Sequence, residues 1–175
     1  MADRIKISEL SADEIEEIIR ENYADIFKYC FWRVRQRSDA EDLTQETFLR
    51  FIENLPNYSD YGKPKALLYT IARNLCINWH NRTKSLSLSD EAIENLQFSV
   101  ETDASDEIAN RLTLHYYINE LPKEQQEILM LRYYQELQIN EIAQIFGVNR
   151  FAVMYRLRTA MKTLQKRMRE GLSDL

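Results

Sequence analysis

Residues 138–166, QINEIAQIFGVNRFAVMYRLRTAMKTLQK, read as two helices joined by a tight turn, with basic residues gathered on the second. In the first, Ile139, Ile142, Ala143 and Phe146 recur at helical spacing, and Gly147 suits a left-handed stop. Asn149 can cap the next helix, which then starts at about Arg150. Its apolar members Val153, Leu157, Ala160, Met161 and Leu164 share one side. Arg150, Met154, Tyr155, Arg158 and Lys162 fall largely outside that stripe. A basic, outward helix after a tight turn suits the major groove of DNA, with its N-terminal residues toward base edges. The alternative is an ordinary helical hairpin with a solvated basic face.

The rest of the chain points to helices as well. Only three Gly and three Pro occur in 175 residues, and no segment alternates apolar and polar residues convincingly. An all-α protein is expected. No apolar run approaches the roughly 20 residues a bilayer span needs, and the start MADRIKISEL lacks the apolar core of a secretion signal. The expected compartment is the cytoplasm, without membrane insertion. Cys30 and Cys76 stand apart in sequence and outside any metal-spaced pair, so they read as reduced core thiols.

Charge is distributed unevenly. The whole chain carries −5, yet residues 61–84 hold five bases and no acid, and residues 141–175 hold seven bases against three acids. Between these patches, residues 85–109 hold seven acids and no base. Either patch could meet phosphates, whereas the overall charge opposes strong DNA binding by the free protein. A partner that adds positive surface would resolve the conflict.

Ser11 with Glu14 forms a capping-box signal opening a helix to about Arg35, with Ile15, Ile18, Ile19, Ile26, Phe27 and Cys30 as candidate core. Ser38 with Glu41 is a second such signal, opening a helix to about Asn54. Its expected buried stripe is Thr44, Phe48, Phe51, Ile52 and Leu55. The other side presents Asp42, Gln45, Glu46, Leu49 and Glu53, an acidic and amide face with one apolar anchor that taken alone is an ordinary solvated surface. After a turn-rich loop holding Tyr58 and Tyr61, Pro64 can begin a third helix. There Leu68, Ala72, Leu75, Cys76 and Trp79 form the apolar stripe, with Trp79 read as core. Arg73, Asn74, Ile77, Asn78, Asn81 and Arg82 face outward in varying degree. Amides, arginines and nearby aromatics can hydrogen-bond and stack on unpaired bases. Tyr58, Tyr61 and Tyr69 read equally well as half-buried.

DAEDLTQETFLRF (39–51), KALLYTIARNLCINW (65–79) and the segment 118–164, with its LP, LRYY, NEIA and FGV elements, occur in one order. Together they resemble the extracytoplasmic-function (ECF) group of bacterial sigma factors over nearly the whole chain. The resemblance implies two small helical domains, 1–84 and 108–175, joined by an acidic linker at 85–107. It implies docking of Asp42, Gln45, Glu46 and Leu49 on the β′ clamp helices of core RNA polymerase. Reading and opening of the −10 promoter element fall to Tyr58, Tyr61, Lys63, Arg73, Asn74, Asn78 and Arg82, with a flipped-base pocket near Tyr58 to Lys63 and Asn74. The second domain would sit on the β flap and read the −35 element with Arg150, Met154, Tyr155, Arg156, Arg158 and Lys162. An anti-sigma protein is a further expected partner. The linker's carboxylates suit either a positively charged polymerase channel or a solvated tether, and Leu86, Leu88, Ile93, Leu96 and Phe98 fit a short helix or docking segment within it.

Some positions depart from the family pattern. Phe151-Ala152-Val153-Met154-Tyr155-Arg156-Leu157 stands where Gly-Thr-Val-Lys-Ser-Arg-Leu is usual, so Met154 and Tyr155 replace a cation and a small hydroxyl. Leu67 occupies a frequent tryptophan position, and Asn78, Asn81 and Thr83 dilute the usual basic segment. Catalysis has little in its favour: no Gly-rich phosphate loop or His-Glu-x-x-His pattern occurs, His80 and His115 lie in separate domains, and no cofactor or metal is implied. The remaining alternative is a helix-turn-helix regulator that does not direct polymerase.

Overall fold

The structure is a computed structural model that describes residues 10–55, 64–86, 114 and 116–173. Every regular element among them is helical, as expected. The chain divides into two compact units, Met1–Leu96 and Gln97–Leu175.

Helix α1 spans Ala12–Val34 and opens on the expected capping box. The Ser11 N–H and hydroxyl each donate to the Glu14 carboxylate at 2.8 Å, and the Glu14 N–H returns a bond to Ser11 Oγ at 3.3 Å. Those bonds, the backbone one first, hold the Glu14 carboxyl below its ordinary pKa. The helix stops at Arg35, whose backbone is left-handed at φ 57°, and Arg35 N–H bonds the Phe31 carbonyl at 2.8 Å. Arginine holds this conformation without glycine's steric freedom, so the local cost must be offset by the packing on either side.

Only Arg35 and Gln36 separate α1 from α2, which spans Arg37–Asn54. The second capping-box expectation fails here. Gln36 is the cap residue, and Ser38 already lies inside the first turn. The Glu41 carboxylate meets Arg37 at 2.9 Å instead of turning back to a cap. The short reversal brings the chain back into helix before Ser38 can act.

Helix α3 spans Pro64–Leu86 and packs with α1 and α2 as a three-helix unit. Its centre is Tyr29 of α1 against Tyr69 of α3, edge to face at 5.3 Å, with both residues fully buried. Ile26, Cys30, Phe51, Leu68, Ala72 and Cys76 complete the interior. Tyr69 is thus core, neither a surface aromatic nor half-buried, whereas Trp79, read as core, is half-buried and meets His80 edge-on. Two polar residues of α2 sit inside at little cost. Thr44 and Thr47 return their hydroxyls to the Ala40 and Leu43 carbonyls, each at 2.6 Å. Both cysteines are buried and neither is in a disulfide, as read from sequence. A hydrogen bond from Cys76 lowers the Cys30 pKa against the opposing effect of burial, with Thr44 and Arg33 adding to the lowering.

The stripe expected on α2 needs one correction. Thr44, Phe48, Phe51 and Leu55 are buried together with Ala40, Leu43 and Thr47, but Ile52 is 42% exposed. At 3.6 residues per turn the buried set spans an arc of about 140°, and Ile52 falls beyond its edge. On α1, Ile26 and Cys30 are buried with Tyr29 and Val34, while Ile15, Ile18, Ile19 and Phe27 are only partly covered.

The second unit contains helices α4 (Lys123–Leu129), α5 (Ile139–Phe146) and α6 (Arg150–Ser173). Helix α4 runs into a wider π turn over Met130–Tyr134, where Gln135 N–H reaches back five residues to the Met130 carbonyl at 3.0 Å. Leu121, Leu129 and Ala160 form one apolar cluster, with Leu157 and Met161 packed on it. The buried Gln126 closes the preceding turn by donating to the Asn119 and Leu121 carbonyls at 2.9 and 2.7 Å. Between α5 and α6 the anticipated turn is in place. Gly147 is left-handed at φ 63°, and the Asn149 side chain accepts the Ala152 N–H at 2.8 Å.

Two substitutions test this packing. Phe51→Ala should destabilise the first unit by about 3–5 kcal/mol through the cavity it leaves. Both tryptophans, Trp32 and Trp79, lie in that unit, so their fluorescence during urea unfolding reads it selectively. Gly147→Ala should cost the second unit about 1–2 kcal/mol, because nothing lies within 4 Å of an added Cβ and only the left-handed backbone is strained. Gly147→Asn should cost less in the same circular-dichroism melts; equal losses would mean that backbone handedness is not what glycine supplies there.

Candidate functional site

Burial of one arc on each helix forces the opposite arc outward, and three such faces collect the residues singled out from sequence. On α2, Asp42, Gln45, Leu49 and Glu53 are exposed and Glu46 is half-buried, within an arc of about 100°. Leu49, at 57% exposure, is the apolar point of this strip. Ile52 extends it, an addition hidden from sequence because its spacing from Phe48 also suits the core. Glu46 is paired with Arg50 at 2.6 Å one turn along, which orients its carboxylate on the surface. The strip offers carboxylate and amide acceptors around an aliphatic contact, complementary to a basic partner with an apolar seat.

The outward side of α3 is a different chemical surface. Asn74, Asn78, Asn81 and Arg82 are exposed, with Arg73 and Ile77 half-buried beside them. Asn74 and Asn78 are one turn apart, so their amides form a row that can both donate and accept. Its orientation is set by the buried Tyr69, Ala72 and Cys76 on the far side. Toward the C-terminal end of this helix His80 Nε2 lies 2.9 Å from the Arg33 carbonyl and fastens α3 to the end of α1. Near the other end Lys65 of the basic segment meets Asp25 of α1 at 3.8 Å. Tyr58, Tyr61 and Lys63 lie outside the described residues, as does the acidic segment beyond Leu86.

The third face belongs to α6. Arg150, Met154, Tyr155, Arg158 and Lys162 are all exposed on one side, as their spacing requires. Arg156 is separated from them. It is half-buried and pairs with Glu124 of α4 at 2.6 Å. Further along, Arg167 meets Glu120 at 3.4 Å, and the same carboxylate bonds the Tyr116 hydroxyl and raises its pKa. Two cations of the basic C-terminal segment thus serve the fold. Phe151, 70% exposed, joins the outward group although its aromatic character marks it for no role. Its signal in the sequence is the spacing of three and four to Met154 and Tyr155. The guanidinium of Arg150 lies over the Phe151 ring at 5.7 Å.

No helix among the described residues is long and apolar enough to cross a membrane. Among the same residues no group of three or more His, Cys, Asp or Glu side chains is arranged to hold a metal.

A family model described as Sigma-70 region 2 matches residues 18–85, and one described as Sigma-70, region 4 matches residues 111–164. The chain is similar to RNA polymerase sigma factor YlaC of Bacillus subtilis (strain 168), 30% identical over 166 residues covering 93% of this chain and 96% of that one. It is also similar to ECF RNA polymerase sigma factor SigM of the same organism, 30% identical over 164 residues covering 91% of this chain and 98% of the relative. In fold it is like the sigma factor RpoE from Bartonella quintana, solved in complex with the anti-sigma factor NepR, at a TM-score of 0.66 and 17% identity over 90% of this chain and 98% of that one. CnrH, solved in complex with the cytosolic domain of CnrY, gives a TM-score of 0.64 at 18% identity over 97% of this chain and 99% of that one. With family models over both helical units and relatives matched along almost their whole length, the chain belongs to the sigma-70 family and is an ECF sigma factor.

Proposed function

We propose that the three outward faces divide the work of promoter-specific initiation. The α2 strip of Asp42, Gln45, Glu46 and Leu49 docks on the β′ clamp helices of core polymerase. The α3 face around Asn74, Asn78 and Arg82, with Arg73 beside it and Tyr58, Tyr61 and Lys63 from the segment that precedes the helix in sequence, receives the unpaired −10 strand. The outward side of α6 reads the −35 duplex while its unit sits on the β flap. The observation that carries this division is the α2 strip, because a regulator acting through its helix-turn-helix alone has no use for an acidic face built around an exposed leucine in the other unit.

The role is not catalytic. Strand opening breaks no covalent bond, and contacts to an extruded base and the exposed strand offset the lost stacking. Asn74 suits that contact because an amide can both donate to and accept from a base edge. The overall charge of −5 keeps the free protein a weak DNA ligand, and joining the polymerase supplies the missing positive surface. The protein then works in the cytoplasm, where the polymerase and chromosome are. RpoE, a relative in fold, was solved with the anti-sigma factor NepR, and a partner of that kind covering the α2 strip would keep this chain from polymerase.

Run-off transcription on fragmented genomic DNA of the source organism, by core polymerase with and without the protein, tests the whole reading; discrete transcripts that require the protein are expected. Glu46→Lys should weaken core binding by about tenfold while leaving the circular-dichroism spectrum unchanged. Unaltered core affinity would remove α2 from the docking role. Asn74→Ala should leave core binding intact and lower open-complex formation by about tenfold, near the worth of one hydrogen bond to a base. Permanganate footprinting of unpaired thymines measures it, and undiminished opening would end the base-contact assignment.

A further inference from the structure

We infer that the outward face of α6 recognises thymine methyl groups through Phe151, Met154 and Tyr155, with Arg150, Arg158 and Lys162 holding the phosphates on either side; this rests on the −35 reading proposed above.

The six side chains fall within an arc of about 140° on one helix. Phe151 and Tyr155 are 70% and 72% exposed and Met154 is 38% exposed, so three large apolar groups form one continuous spot in water. Residues three and four apart on a helix are neighbours, which places Met154 and Tyr155 directly over the turn that carries Phe151. An apolar spot of this kind implies an occupant. Charge identifies which one. Cations bracket the spot at both ends, Arg150 above the Phe151 ring and Arg158 and Lys162 one and two turns beyond. No carboxylate occurs in α6 before Glu170. A protein surface would have to bring its own anions to match, whereas a DNA duplex presents phosphates on both sides of a groove.

Within the major groove, what these residues can read is limited by their chemistry. Phenylalanine and methionine offer no donor for guanine O6 and N7, nor a paired donor and acceptor for adenine. The apolar group on a major-groove base edge is the thymine C5 methyl. Tyr155 adds a ring of the same character, with a hydroxyl beyond it that can reach a phosphate oxygen. Their place in the first two turns of α6, the part of such a helix that approaches base edges, puts the spot where methyl contact is made.

The test uses polymerase reconstituted from core enzyme and the full chain, offered duplexes randomised upstream of a fixed start region. Thymines enriched in the recovered sequences are then replaced singly by deoxyuridine, which removes the methyl and keeps every hydrogen-bonding group. Binding should fall about fourfold per methyl read. Phe151→Ala, Met154→Ala or Tyr155→Ala should each abolish the penalty at one position and leave it at the others, and their exposure means the fold is spared. Deoxyuridine without effect would overturn the inference while leaving upstream reading intact. A penalty that persists in all three variants would overturn it too, since the methyl would then act through DNA shape. Absence of any upstream enrichment would overturn the −35 reading and this inference together.

Discussion

The edge-to-face contact of Tyr29 with Tyr69 fixes the rotation of α3 about its own axis, and much of the first unit depends on that angle. With Tyr69 turned inward, Leu68, Ala72 and Cys76 are carried into the same interior, and Asn74, Asn78 and Asn81 are carried out. Rotating α3 by one residue, or about 100°, would bury amides with no partner and expose aromatic and aliphatic surface. The amide row therefore owes its position to the core more than to any interaction of its own. The same reasoning holds for α2, where Phe48, Phe51 and the two self-satisfied threonines leave the acidic strip no other place to go.

Charge is managed by a comparable division. Cations of the C-terminal segment fall into those that tie α6 to the chain before it, Arg156 with Glu124 and Arg167 with Glu120, and those on the open side. Exposed pairs of this kind add little stability, about 0–1 kcal/mol each. Their value is positional, since they give α6 a fixed register against α4 and the turn before it. A helix that reads DNA must present the same side chains at the same height on every encounter.

Helix identity and the reading hairpin are largely legible in the sequence, because the signals concerned are local. Ser11 and Glu14, Gly147, and Asn149 act within one turn of themselves, and each does what its type implies. Signals that depend on neighbours mislead. Ser38 and Glu41 have the spacing of a capping box, but a two-residue reversal at Arg35 and Gln36 starts the helix ahead of them. Ile52 has core spacing, yet Phe51 and Leu55 already fill the interior beside it. Tyr69 gives no sign of full burial, which depends on the ring it meets on another helix. Arg156 looks like its basic neighbours, and only the position of Glu124 sets it apart. Nothing in the LRYY segment announces the π turn, a backbone arrangement without a residue signature.

The thiols of Cys30 and Cys76 have a consequence that comes from their enclosure. They meet between α1 and α3, shut away from water, and neither forms a disulfide. A sulfur in that place is chemically silent for as long as the two helices stay together, whatever its acidity. It becomes a nucleophile only when they separate. The three-helix unit thus carries an internal clock, in which the rate of alkylation counts the openings of the interior on which both of its outward faces depend.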